Sequence, residues 1–264
     1  RSDAVTASTA NDVYARARRN DTSPEVWKAR VDLAACYQLF EHKGWTDGIN
    51  THLSARVPGT DGHFFLKPDR LLFSRVTASS LVELDKNGDR IDPDDDPVNP
   101  AGSIIHSAVL EGREDVDCVL HHHTDAGIAV SSLEVGLLPM SQHALQFHNR
   151  MGYHEYEGVA LDDAEKEGLK RDLGPHNAMM LRNHGVLVAG SSVGTAFAIC
   201  DNLEVACRSQ LLAMQTGAEI HLPTEEVQEH TAQQFAGFPT SRNDTMEWDA
   251  LLGWLDDLGA EYAV

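Results

Sequence analysis

Two histidines two residues apart, His121 and His123, follow the run Cys118-Val119-Leu120. In an extended strand alternate side chains share a face, so these imidazoles project together with Cβ atoms roughly 6 to 7 Å apart. Two rings at that separation can converge on one cation at about 2.0 to 2.1 Å from each nitrogen. His122 faces the other way. A third imidazole comes from Leu181-Arg182-Asn183-His184-Gly185. A histidine leaving a strand just before glycine sits where the backbone turns tightly and presents its side chain to a cleft. Each signal alone has a plainer reading, a polar strand end for His-x-His and a local hydrogen bond for His184. Together the three leave coordination positions open to a reactant, as a catalytic metal requires.

The elements that must position these residues are legible as changes of period. Ser23-Pro24-Glu25 is a helix-start signal, and the helix from Glu25 to Lys43 puts Val31, Ala34, Ala35 and Leu39 near one face before Gly44 stops it. Strands follow at His52–Val57 and His63–Lys67, then a hairpin of Leu81–Asp85 with Arg90-Ile91-Asp92. A helix from about Ala101 to Gly112 carries Ile104, Ile105, Ala108 and Val109 as its buried stripe. The strand Cys118–His123 and a short helix through Ala126 and Val130 come next. From Gly158 the expected order is strand, acidic helix from Ala164 to Leu173, strand Asn177–Arg182, the His184 junction, strand Val186–Ala189 and a long helix from Val193 to about Thr216. Helices alternating with hairpin-joined strands predict an α/β sandwich around a mostly antiparallel sheet.

The segments VLHHHTDAGIAVS and LRNHGVLVAG resemble the class II aldolase/adducin family, which includes fuculose-phosphate aldolase and ribulose-phosphate 4-epimerase, over roughly residues 27 to 218. The resemblance implies an α/β/α sandwich and a divalent metal ion on His121, His123 and His184, zinc first with manganese or iron as alternatives. It also implies a homotetramer with active sites at subunit interfaces.

Three segments depart from the sugar-phosphate enzymes of that family. Pro100-Ala101-Gly102 stands where those enzymes carry Ser-Ser-Glu, so no carboxylate is available for proton transfer. Thr51-His52 and Asp69-Arg70 replace two of the phosphate-binding turns. Substrate contacts are therefore expected from Thr51, His52 and Arg70, whose guanidinium suits a carboxylate unless it is tied up in a surface ion pair. His106, one helical turn beyond Gly102, and His143 are the candidates for proton transfer. His148, Tyr153, His154 and Tyr156 thicken the same region, and Asp125 follows the metal strand closely enough to orient a ligand ring.

Composition limits the partners. A formal net charge of -20 disfavours a nucleic-acid backbone or an anionic membrane, and no apolar stretch reaches the roughly 20 residues of a membrane span. Four cysteines without a CxxC pair suit a reducing cytoplasm. The expected organisation is a flexible arm (1–23), a metal-binding domain (24–222) and a helical tail (223–264) whose stripe of Trp248, Leu251, Leu252 and Leu255 docks on a neighbouring subunit. The leading expectation is a metal-dependent lyase, by aldol cleavage or decarboxylation, on a small non-phosphorylated hydroxy or oxo acid. A non-haem iron oxygenase and a non-catalytic adducin-like module are the alternatives.

Overall fold

Ser23 caps helix α1 (Pro24–Lys43) by accepting a hydrogen bond from the Val26 amide at 3.3 Å, with Pro24 in the first helical turn, where its missing N–H costs nothing. Helix α1 ends at Gly44, whose φ of 71° lets its amide close back onto the Glu41 and Phe40 carbonyls. The computed structural model describes residues 22–159, 165–238 and 246–264. The expected arm up to residue 21, Asp162 and Asp163, and Ala164 at the expected helix start lie outside the described residues.

Seven strands make one sheet: β1 (His52–Arg56), β2 (Phe64–Leu66), β3 (Val82–Leu84), β4 (Cys118–His122), β5 (Gly152–His154), β6 (Ala178–Leu181) and β7 (Gly185–Gly190). Their spatial order is β3-β2-β1-β4-β7-β6-β5, and every neighbouring pair is antiparallel except β5 with β6. Strand alternation then divides the apolar residues between two layers. Leu53, Leu120, Met180 and Val188 face α1 and the long helix α6 (Val193–Gln215), all in one core. Phe64, Val119, Met179 and Leu187 face α2 (Pro100–Gly112) and α5 (Glu165–Leu173) in the other. The short helices α3 (Asp125–Ser131) and α4 (Gln142–Leu145) bridge between strands, so the sandwich has the expected class.

Two local expectations are corrected. Among the described residues the strand that precedes α5 is β5, and residues 160–164 of the strand expected from Gly158 lie outside the described residues; β5 runs close to α5, where a Cβ on Gly152 would lie 2.5 Å from the Asp172 carbonyl oxygen. The second arm of the Leu81–Asp92 hairpin shrinks to a single bridge between Leu84 and Arg90. The C-terminal stripe is covered by its own chain. Helices α7 (Glu225–Ala236) and α8 (Trp248–Asp257) follow α6, and Trp248, Leu252 and Leu255 join the same core as α1. Trp248 Nε1 donates to Asp32 Oδ1 at 3.0 Å, and the Tyr262 and Val264 carbonyls accept from the Ala78 and Ser79 amides. A neighbouring subunit is not needed to bury this stripe.

Replacing Trp248 with Ala is expected to cost about 3–5 kcal/mol in urea unfolding, the usual penalty for emptying a buried aromatic site. A loss below about 1 kcal/mol would mean that the helix is only loosely attached to the core.

Candidate metal centre

The register of the sheet gathers the imidazoles. His121 lies opposite His52 on β1 and Leu187 on β7, on the face covered by α2 and α5, while His122 turns into the other layer against Phe40 and Trp45. His123 stands just beyond β4. His184 comes from the connection between β6 and β7, where Leu181 pairs with Gly185 and the three residues between them form the turn. The left-handed residue of that turn is Asn183, at φ 57°, a conformation that asparagine tolerates. Gly185 serves a different need from the turn expected of it. A Cβ there would lie 2.5 Å from the His122 carbonyl oxygen and 3.2 Å from the His123 ring, so its absence lets β7 close on the ligand strand.

His123 Nε2 lies 2.9 Å from His121 Nε2 and 2.9 Å from His184 Nε2. The opposite nitrogens fix which atoms face inward. His121 Nδ1 is 2.9 Å from the Val186 carbonyl oxygen and His123 Nδ1 is 3.1 Å from Asp47 Oδ2. Carbonyl and carboxylate oxygens only accept, so both Nδ1 atoms carry hydrogen and both Nε2 atoms of the neutral rings offer lone pairs. Two such lone pairs facing each other repel unless a cation lies between them. The donor set therefore fits a divalent metal; ligand nitrogens on a tetrahedral ion stand about 3.3 Å apart, a few tenths of an ångström wider than here.

Burial keeps the His121 and His184 rings neutral and ready to bind. His121 is held well below the usual histidine pKa by desolvation and then by its imidazole neighbours, and His184 falls to about 4 for the same reasons. Behind them runs a buried chain: Ser54 Oγ bonds His106 Nδ1, and His106 Nε2 bonds His52 Nδ1 at 2.8 Å. His106 is fully buried, and desolvation lowers its pKa to about 3. The His52 ring lies 5.0 Å from that of His121. It also lies against Gly102, where an added Cβ would come within 2.9 Å of ring atoms.

Sequence proximity misplaced several roles. Asp125 is exposed in the first turn of α3 and makes no hydrogen bond to a ligand ring among the described residues; Asp47, from the loop before β1, holds that position. Its signal, an Asp-Gly turn, reads only as a turn. His106 reaches the centre only through His52. His143, half-buried on α4, has no hydrogen bond to the imidazoles among the described residues. Arg70 is largely exposed and fully engaged with Asp96, its Nε and Nη2 donating at 3.0 and 2.7 Å. Thr51 is buried with no partner for its hydroxyl among the described residues. Of the remaining residues, Tyr156 lies nearest, its exposed ring 6.3 Å from His184, and with His154 and Arg182 it lines a small cleft beside that ligand. His154 pairs with Asp172 at 2.7 Å, Tyr153 accepts from the Leu137 amide, and His148 bonds Asn149. Lys67, not singled out from the sequence, is buried, with its ammonium donating to the Ile49, Pro68 and Asp69 carbonyls and desolvation lowering its pKa to about 8. A larger cleft of about 1020 Å³ elsewhere is lined by residues such as Gln146, Asn177 and Asn202 and includes none of the three ligands.

The family described as Class II Aldolase and Adducin N-terminal domain matches residues 31–211. A provisionally named aldolase class 2 protein of Pseudomonas aeruginosa is 46% identical over 240 residues, covering 89% of this chain and 92% of its own. Alpha-adducin of Rattus norvegicus is 37% identical over 244 residues, covering 87% of this chain but 33% of its own length. An aldolase II superfamily protein from Pseudomonas syringae superposes with a TM-score of 0.89 at 44% identity, covering 93% of this chain and 99% of its own.

Removing the orienting carboxylate with Asp47→Asn is expected to weaken metal binding about 10- to 100-fold, measured by competition with a chelator, with secondary structure retained. The metal-free protein should also be acid-sensitive. His106 and His122 sit at about 3 in the fold and near 6.5 in an unfolded chain, so the unfolded state binds protons first. Stability is then complete above about pH 6.5 and declines as pH falls toward 3, by roughly 2 kcal/mol per histidine at pH 5. Chemical denaturation in chelator at pH 7.5 and 5 tests this; equal stabilities would contradict it.

Proposed function

The chain belongs to the class II aldolase and adducin family, and from that premise we propose a metal-dependent carbon–carbon lyase acting on a small hydroxy or oxo acid without a phosphate. The observation that carries this reading is the convergence of three Nε2 atoms at the half-exposed end of the sheet, fixed from behind by Val186 O and Asp47. A divalent ion held there would supply Lewis acidity to two oxygens of a chelating acid and stabilise the negative charge that develops as a carbon–carbon bond breaks, in aldol cleavage or decarboxylation alike.

The residues around the ligands support the substrate class. Arg70 is spent on Asp96, and the Asp69 amide donates to the Pro97 carbonyl at 2.8 Å, so two donors that a phosphate would seek are already used. The Thr51 hydroxyl remains, one donor where a phosphate wants several. Among the chain's own groups, Asp47 and Val186 hold the ligand rings in one tautomer, Tyr156 borders the open side and His52 stands against His121. In the same reading the ion is zinc, with manganese or iron as alternatives, and the protein is a cytoplasmic homotetramer whose subunit boundary passes near the exposed Tyr156.

A second reading draws on the 37% identity to alpha-adducin: the same scaffold holding its ion without turnover. Retention of the whole ligand set favours the lyase, since a scaffold needs no cluster of three imidazoles.

Untagged protein is expected to contain close to one divalent ion per chain by elemental analysis, and to release a carbonyl product or carbon dioxide from a panel of hydroxy and oxo acids. His121→Ala should lose both ion and turnover. Unchanged metal content in that variant would end the assignment, and bound metal without turnover across the panel would favour the scaffold.

A further inference from the structure

A side chain at position 102 and the imidazole of residue 52 compete for one volume. A Cβ on Gly102 would lie 2.9 Å from Cγ and Cδ2 of His52 and 3.3 Å from its Nε2, closer than real carbon contacts allow. The ring that fills this space comes from β1, not from α2. His52 is the cross-strand partner of His121, on the same sheet face, with their rings 5.0 Å apart. The seat is therefore beside the metal ligands.

The chain behind His52 sets the polarity of the ring. Ser54 is fully buried, and the hydrogen bond of its hydroxyl goes to His106 Nδ1. A buried hydroxyl with one partner gives its proton to that partner, because an unpaired donor costs more than an unpaired lone pair. His106 Nδ1 then accepts, its Nε2 carries hydrogen, and that hydrogen goes to His52 Nδ1 at 2.8 Å. The neutral His52 ring bears its own hydrogen on Nε2, which makes no hydrogen bond among the described residues, the ring's one bond being that of Nδ1 to His106.

We infer, on the reading of the site given above, that His52 is a substrate-contacting residue, a neutral imidazole whose Nε2–H donates to an oxygen of the bound acid from the volume that a side chain at position 102 would occupy. Carbonyl and carboxylate oxygens accept only, so the donor matches the substrate class. Gly102 is the complement of His52, required by its ring. The interaction uses a donor that stays in place, with Ser54 and His106 holding the ring at one angle.

The test uses full-length protein loaded with Co²⁺, whose visible spectrum reports on its ligands, titrated with glycolate. The parent should bind one Co²⁺ per chain, and glycolate should shift the spectrum. His52→Ala and Gly102→Ala should keep the cobalt stoichiometry, itself a check that the site is folded, and each should weaken glycolate binding about 10-fold or more. The double variant should be no weaker than either single one, because both changes act on the same ring. His52→Asn, which keeps an N–H donor, should recover part of the loss and carries the comparison if the alanine variant does not fold. Unchanged glycolate affinity in His52→Ala, loss of cobalt in His52→Asn, or additive losses in the double variant would each overturn the inference while leaving the metal-dependent reading intact. A parent that binds cobalt but ignores glycolate, or binds no cobalt, would overturn that reading and this inference with it.

Discussion

Lone pairs aimed at one another repel, and this protein holds two of them 2.9 Å apart with a third imidazole alongside. What keeps them there is backbone. The pairing of β4 with β7 brings the Val186 carbonyl against the His121 ring, the close approach at Gly185 seats His123, and the turn at Asn183 delivers His184. None of these supports is a flexible side chain, except Asp47. A site built this way has its geometry set by the central strands of the sheet, so the ligand rings cannot shift without them.

The same strands carry an unusual load of buried imidazole. His52, His106, His121 and His122 are all buried, and desolvation favours the neutral form of each. Neutral imidazole is the form that binds a cation or relays a hydrogen bond, so the cost of burial and the requirement of function point the same way. His122 is the exception in placement. Its ring packs against Phe40 and Trp45 with Nδ1 unpartnered among the described residues, a polar atom in an aromatic layer.

Whatever depended on strand parity was legible from the sequence. His121 and His123 share a face because they are two residues apart, and His184 follows from its place between two apolar runs. The sandwich itself followed from the switches between helical and strand periods. What was not legible depended on approach through space. Asp125 is the carboxylate nearer the metal strand along the chain, but it is the loop before β1 that brings one, Asp47, to His123. Gly102 read as a missing acid, since nothing in Pro100-Ala101-Gly102 announces that a ring from a strand fifty residues earlier lies against it. Arg70 reads as a substrate contact or as one arm of a surface ion pair, and only the fold, which brings Asp96 beside it, decides for the pair.

The closure of α8 over α1 has a consequence for how the molecule is made. Helix α1 leaves the ribosome with an apolar side that is covered in part by residues synthesised more than two hundred positions later, with Trp248 bonded to Asp32. Until that segment emerges, part of the aromatic layer of α1 stays open to solvent and to other nascent chains. Long-range closure of this kind slows folding and lengthens the interval of exposure. Expression at lower temperature, or a chaperone that shields α1 during translation, would therefore act on yield, with the finished protein unchanged.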